Sequence, residues 1–137
     1  MPNKPVIHHS GDQAYYMKSL DKVNMPFPRL FHSNHAYYIT LFHELAHSTG
    51  HVNRLNRKEL LESDGFGGEN YSKEELTAEL TAAFLSAITG IQQQTIINST
   101  AYIKGWLKAL QNDKRMVLLA ASQAQKAADY ILGAGHE

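Results

Sequence analysis

The most informative part of the sequence is its central pentapeptide, His43-Glu44-Leu45-Ala46-His47. Residues four apart in an α-helix lie one turn apart on the same face, so both imidazoles can reach one metal ion. Glu44 lies about 100° around such a helix from His43. That places it beside the ion, where its carboxylate can take a proton from metal-bound water. The pentapeptide therefore predicts a metal site with His43 and His47 as ligands and Glu44 as the catalytic base.

The residues around this pentapeptide favour a helix over 34–50. Its apolar positions follow the i, i+3, i+4, i+7 repeat and lie opposite the two histidines. Ser33 or Asn34 can cap its start, and Gly50 follows the last periodic residue, where a left-handed C-terminal cap is expected. The core-facing side chains predicted for this helix are Tyr38, Leu41, Phe42 and Leu45.

A catalytic zinc usually takes three protein ligands, and the third must come from elsewhere in the chain. The metzincin pattern fails, because Asn53 stands where a third histidine is required. A second predicted helix, over 73–89, offers Glu75 and Glu79 on one face. However, Ser72-Lys73-Glu74-Glu75 is also a capping-box sequence, which would turn Glu75 towards its own helix end and leave Glu79 as the ligand. Spacing alone leaves both glutamates as candidates.

Composition excludes several other classes of protein. The chain has 137 residues, of which 43% are hydrophobic and 19% charged, so we expect one globular domain over 1–137. It has no cysteine, which excludes disulfides, thiolate metal sites and a cysteine nucleophile. Thirteen basic residues offset thirteen acidic ones, so no global field attracts nucleic acid or an anionic membrane. We expect neither a secretory signal nor a membrane span.

The order of predicted elements indicates an α+β fold that is mainly helical. Residues 1–28 resemble a small β element with strands at 14–17 and 22–25, which packs on the motif helix. C-terminal helices are expected over 99–132, as one stretch near 99–111 and another near 114–132. The apolar stripe predicted for the helix over 73–89 consists of Leu76, Leu80, Ala83, Phe84, Ala87 and Ile88.

The chain resembles the zincin-like metallopeptidase domain of ArdC-type antirestriction proteins and of related phage and plasmid polyvalent proteins. The matching segments are 21–26, 36–51, 71–84, 101–107 and 120–132. In addition, the pattern Glu75-x-x-Ala78-Glu79 is similar to the third-ligand helix of several gluzincins. This resemblance implies a zincin fold, with Glu75 as the metal ligand and Glu79 as the residue that steadies a histidine.

The resemblance further implies a zinc-dependent peptidase that acts on a polypeptide substrate, encoded by a mobile element and located in the bacterial cytoplasm. Iron, cobalt or manganese would also suit two imidazoles and a carboxylate. Such proteins commonly carry an N-terminal domain for single-stranded DNA, but no part of this sequence is long or basic enough to be one, which leaves either an excised domain or a protein without that domain. The alternative is a non-catalytic, metal-stabilised module that binds protein or DNA, with Arg54, Arg57 and Lys58 as its nearest basic patch.

Overall fold

A three-stranded sheet opens the fold. The computed structural model describes residues 1–63, 68–91 and 113–134 and positions 101, 104, 105, 108 and 111. The strands of the sheet are β1 (Val6–His9), β2 (Tyr15–Met17) and β3 (Lys22–Met25). The strand order is β1-β3-β2, with β1 parallel and β2 antiparallel to the central strand. The sequence predicted β2 and β3 but missed β1.

Four α-helices follow the sheet within the described residues. They are α1 (Asn34–Ser48), α2 (Lys58–Leu61), α3 (Glu69–Thr89) and α4 (Lys114–Leu132), and a short 3-10 helix (Pro28–Leu30) precedes α1. The bounds of α4 coincide with the predicted stretch near 114–132, whereas the predicted helix near 99–111 falls mostly outside the described residues. Within those residues, no helix is both long and apolar enough to cross a membrane.

Helix α1 packs on the sheet through one apolar face. Its N-cap is Ser33, whose hydroxyl oxygen accepts a hydrogen bond of 3.1 Å from the amide of Ala36. Leu45 belongs to a buried cluster with Val23 of the central strand. The prediction of Tyr38 as a core residue was wrong: its side chain is 47% exposed, and the neighbouring Tyr37 is buried instead.

The end of α1 also differs from the prediction. The C-cap residue, Thr49, is right-handed (φ −63°, ψ −21°), and Gly50 does not adopt a left-handed conformation. A Cβ atom added to Gly50 would lie 2.9 Å from Leu60 Cδ2 and 3.0 Å from Arg57 Nη2. Glycine is therefore required at this position for space, because two side chains pass directly over its backbone.

Helix α3 begins four residues earlier than predicted. Its N-cap is Gly68, so Ser72 lies inside the helix, where it is only 5% exposed. The predicted capping box consequently does not form, and Glu75 is not held at a helix end. The helix ends, as predicted, at a glycine: Gly90 is left-handed with φ 75°.

The predicted apolar stripe of α3 was partly wrong. Ile88 is 59% exposed, whereas Ala78 and Leu85 are buried. Helix α3 packs against α1, α2 and α4, so several of its faces are covered and small or hydroxyl-bearing residues occupy the contacts. Its buried residues are Ser72, Glu74, Leu76, Thr77, Ala78, Thr81, Ala82, Leu85 and Ser86.

Candidate metal centre

Three side chains with potential metal-ligand atoms converge between α1 and α3. The Nε2 atoms of His43 and His47 lie 3.1 Å apart. The carboxylate of Glu75 reaches both, with Oε2 3.2 Å from His43 Nε2 and Oε1 3.0 Å from His47 Nε2. Ligands on a tetrahedral ion with bonds of 2.0–2.1 Å are about 3.3 Å apart. The three groups therefore fit the coordination of one small divalent cation.

The opposite nitrogen of each imidazole contacts a second carboxylate. His43 Nδ1 lies 3.0 Å from Glu79 Oε1, and His47 Nδ1 lies 2.8 Å from Glu74 Oε2. An imidazole that donates through Nδ1 presents the lone pair of Nε2, which is the atom that faces Glu75 in both rings. These contacts fix the ring orientation and the tautomer that a metal ligand needs.

The charges of the site suit a cation. Burial lowers the pKa of His43, but Glu75 and Glu79 outweigh burial and raise this pKa to about 9. Burial likewise lowers the pKa of His47, and Glu74 and Glu75 raise it well above its usual value. The pKa of Glu75 is raised by burial and lowered by the two imidazoles, with a net decrease. The carboxylates thus favour positive charge between the two rings, which a cation bound to the neutral imidazoles would supply.

Glu44 lies beside this group of ligands. It is 7% exposed, and one of its oxygens lies within 4.8 Å of ring nitrogens of His43 and His47. Burial raises the pKa of its carboxyl group, and the two histidines partly offset that increase. Its position on α1 is the one expected of a proton acceptor for a group held at the ligands.

A cleft of about 650 Å³ gives access to these groups. Residues of β2 and its neighbours line the cleft. Lys18 also lines it, and its Nζ donates to the carbonyls of Leu60 (3.0 Å) and Ser63 (2.9 Å). Tyr71 lies on α3 one turn before Glu75 and also faces the cleft. The lining residues are Gln13, Ala14, Tyr15, Tyr16, Lys18, Thr40, His43, Glu44, His47, Leu60, Ser63, Tyr71, Glu74 and Glu75.

Two residues of the site were missed by the sequence analysis. Glu74 has no role in the prediction from the sequence. Arg57, which the sequence places in the nearest basic patch, is only 4% exposed and pairs with Glu74. Arg54 also forms an ion pair, with its Nη1 atom 2.7 Å from Asp21 Oδ1. No local spacing indicates these pairs, because they join segments that meet only in the folded chain.

Residues 3–123 match the sequence model of a family described as a zincin-like metallopeptidase. The chain belongs to this family. The match covers both helices that carry the converging ligands and confirms the predicted family. As a zincin-like domain it is a metal-binding domain, and its mainly helical structure with a small sheet confirms the predicted fold class.

Solved structures of a relative have the same fold. The Mn(II)-bound crystal structure of the antirestriction protein ArdC from plasmid R388 is 40% identical, with a TM-score of 0.75, and the match covers 94% of this chain and 47% of that one. The metal-free structure of the same protein is 41% identical, with a TM-score of 0.68, and covers 91% and 44%. The zincin-like domain is therefore of the ArdC type.

Longer curated proteins also contain a similar segment. A DNA primase TraC of Escherichia coli is 39% identical over 127 residues, which is 93% of this chain and 8% of TraC. The protein y4eC of Sinorhizobium fredii (strain NBRC 101917 / NGR234) is 40% identical over 125 residues, which is 91% of this chain and 40% of y4eC. The chain thus spans less than half the length of each of these relatives.

Proposed function

We propose that this zincin-like domain is a metal-dependent peptidase that hydrolyses peptide bonds, with zinc as its resident ion. The observation that carries the proposal is the convergence of His43, His47 and Glu75 within 3.0–3.2 Å of one another, next to a buried Glu44 and open to a cleft. Two imidazoles and one carboxylate, with a coordination position left for water or substrate, are the ligand set of a catalytic zinc.

Glu75 is the third ligand in this proposal, and Glu79 supports His43. The distances support this choice between the two glutamates: Glu75 reaches the Nε2 atoms of both rings, whereas Glu79 reaches His43 from its Nδ1 side. The Mn(II) in the R388 ArdC structure supports a divalent ion in a domain of this type. Manganese and other divalent transition metals are therefore alternatives to zinc as the ion bound by the same three ligands.

When bound by His43, His47 and Glu75, a divalent ion would act as a Lewis acid, which polarises a carbonyl oxygen and lowers the pKa of a water molecule. Glu44 accepts the proton of that water as the water attacks the peptide carbonyl carbon. The same carboxyl group then passes the proton to the nitrogen of the departing amine, so that one amide bond is replaced by a carboxylic acid and an amine. Glu79 and Glu74 hold the two imidazoles in place throughout.

The cleft suits an extended polypeptide. Strand β2 is at one edge of the three-stranded sheet, and Tyr15 and Tyr16 of this strand line the cleft. An extended segment can add to such an edge through main-chain hydrogen bonds, which places its backbone beside the ligands without requiring a particular sequence. The tyrosine rings provide apolar surface for its side chains.

The biological setting is proposed from the relatives. A similar domain in an antirestriction protein of a plasmid supports an antirestriction function of mobile elements, carried out in the bacterial cytoplasm. We assign no binding of single-stranded DNA to this chain. Two of the three basic residues in the patch Arg54, Arg57 and Lys58 already form ion pairs within the protein, Arg54 with Asp21 and Arg57 with Glu74.

The experiment is hydrolysis of an unfolded protein with added Zn²⁺ or Mn²⁺, comparing the parent chain with a Glu44→Gln variant. We expect the variant to bind metal normally and to lose at least about 100-fold in rate, because the proton acceptor is absent. Metal binding with equal background cleavage by both proteins would refute the peptidase and favour the alternative, a non-catalytic metal-stabilised module that binds a protein partner. A parent that binds neither ion would refute the metal site itself.

A further inference from the structure

A buried ion pair lies directly behind one of the metal ligands. Arg57 Nε donates to Glu74 Oε1 at 2.6 Å, and Arg57 Nη2 donates to Oε2 of the same carboxylate at 2.8 Å. Oε2 also accepts from His47 Nδ1 at 2.8 Å. Glu74 is 3% exposed and Arg57 4%. Arg57, Glu74 and His47 thus form a hydrogen-bonded chain that ends at one of the proposed metal ligands, His47.

The remaining donors of the guanidinium bind α1 at the turn that carries His47. Arg57 Nη2 donates to the carbonyl oxygen of Ala46 at 2.9 Å, and Nη1 donates to the hydroxyl oxygen of Thr49 at 3.0 Å. One planar group therefore joins the last turn of α1 to the first turns of α3. These are the two helices that supply the three converging ligand atoms.

This arrangement is poorly explained by stability alone. Removing a guanidinium and a carboxylate from water carries a desolvation cost that their mutual attraction offsets only when the geometry is good, and apolar residues of similar volume often stabilise a fold equally well. A metal centre, by contrast, requires its ligands to stay within about 0.5 Å of the productive positions. A rigid, bidentate contact across the two ligand-bearing helices meets that requirement.

We propose that Arg57 is a positioning residue of the metal centre: through Glu74 it fixes the imidazole of His47, and through Ala46 and Thr49 it fixes the spacing of α1 and α3. The inference rests on the metal site proposed above and adds a residue from outside the two helices. It differs from the support given by Glu79, which contacts the imidazole of His43 from α3, whereas Arg57 precedes α2 and contacts both α1 and α3.

Gly50 is part of the same arrangement. A Cβ atom at this position would lie 3.0 Å from Arg57 Nη2, which is the nitrogen that contacts both Glu74 and Ala46. The absence of a side chain is what allows the guanidinium to lie over the end of α1. The glycine that follows the two histidines is therefore explained by the close approach of Arg57 and Leu60, and not by the handedness of the turn.

The test compares Arg57→Lys and Glu74→Gln with a matched control, Arg54→Lys. Arg54 also forms a fork with a carboxylate and binds main-chain oxygens of Asn3 and Ser48, but it contacts no ligand of the site. Each protein is titrated with Zn²⁺ against a competing chelator and with Co²⁺ alone. The absorption spectrum of bound Co²⁺ reports ligand geometry, which a merely structural role would leave unchanged.

We expect Arg57→Lys and Glu74→Gln to weaken Zn²⁺ binding by about 10- to 100-fold and to alter the Co²⁺ spectrum. Arg54→Lys is expected to lower Tm while keeping the parent affinity and spectrum. Parent-like binding and spectra in both site variants, while the parent itself binds metal, would overturn the positioning role and leave the proposed function intact. An equal loss in Arg54→Lys would also overturn it, since general destabilisation would then account for the effect. If Arg57→Lys does not fold, the nearly isosteric Glu74→Gln decides.

Discussion

Oε1 of Glu79 lies 3.0 Å from Nδ1 of His43, on the side of the ring that faces away from His47. Glu75, one turn earlier on the same helix, contacts the opposite nitrogen of that ring at 3.2 Å. Two carboxylates of one helix therefore hold one imidazole from both sides. Their different positions on the ring give them different roles, which can be separated by substitution.

Glu75→Gln should weaken Zn²⁺ binding far more than Glu79→Gln does. The first change removes an anionic ligand, whereas the second removes support from a ligand and should cost about 10- to 100-fold in affinity. Competition with a chelator measures both constants. Glu69→Gln is the control, because Glu69 lies on the same helix with a side chain that is 74% exposed. A reversed order for Glu75 and Glu79 would make Glu79 the ligand.

Metal should raise the thermal stability of the parent chain. An ion that binds only the folded state adds about 4 kcal/mol when its free concentration is about a thousandfold above Kd. Differential scanning calorimetry with Zn²⁺ and then with excess chelator measures the shift in Tm. His43→Ala should show no such shift at the same Zn²⁺ concentration, because one of the three ligands is gone. A Zn²⁺-dependent increase of equal size in this variant would place the ion elsewhere.

Leu76→Ala should lower the free energy of unfolding by about 2–5 kcal/mol. Leu76 is fully buried and forms a core cluster with Ala120 of α4, so truncation leaves a cavity between the two helices. Urea denaturation measures the change. Ile88→Ala is the control on the same helix, since Ile88 is 59% exposed, and it should change stability by no more than about 0.5 kcal/mol. Similar losses in both variants would contradict the observed orientation of α3.

The contact between Asp21 and Arg54 should make stability depend on pH in the acid range. Hydrogen bonds from Arg54 hold the pKa of Asp21 below its ordinary value. A carboxyl group with a lowered pKa stabilises the folded state above its unfolded pKa of about 3.9, and this contribution disappears as the pH falls through the lower, folded value. Asp21→Asn should therefore cost about 1–2 kcal/mol at pH 7, since a charged hydrogen-bond pair at a partly exposed position is removed.

The cost of Asp21→Asn should then shrink as the pH falls below about 4, because the unfolded parent takes up a proton there, and it should vanish only below the lower pKa of the folded state. Denaturation by urea at pH 7 and at pH 3 gives the comparison. Asp12→Asn, an exposed position in the connection between β1 and β2, is the control and should change stability little at either pH. A cost for Asp21→Asn that stays constant between the two pH values would rule out the charge of Asp21 as its source.

Local signals predicted the parts of the fold that depend on neighbouring residues. The start of α1 follows from the side chain of Ser33, and the end of α3 follows from the left-handed conformation of Gly90. The pentapeptide His43–His47 places two imidazoles on one helical face because helical geometry alone determines that spacing. Each of these features is decided within about one turn of the chain.

The features that the sequence analysis missed depend on distant segments. Strand β1 is only four residues long and is fixed by parallel pairing with β3, 16 residues further on. The capping box at Ser72 is a strong local signal, but α3 begins at Glu69, and Glu74 is buried against Arg57 and His47, which come from distant segments. The apolar pattern of α3 was misleading for a similar reason, since a helix covered by three neighbours has no single core-facing stripe.

The lack of a side chain at Gly50 has a consequence for sequence comparison. In this chain position 50 is constrained by Arg57 and by Leu60, so these positions should vary together among related proteins. Homologues with a larger residue at position 50 should have a shorter, uncharged residue at position 57 and a compensating change at position 74. A glycine three residues after the second histidine then indicates an arginine whose side chain packs over the C-terminal end of the motif helix. Such a glycine does not by itself indicate a third histidine ligand.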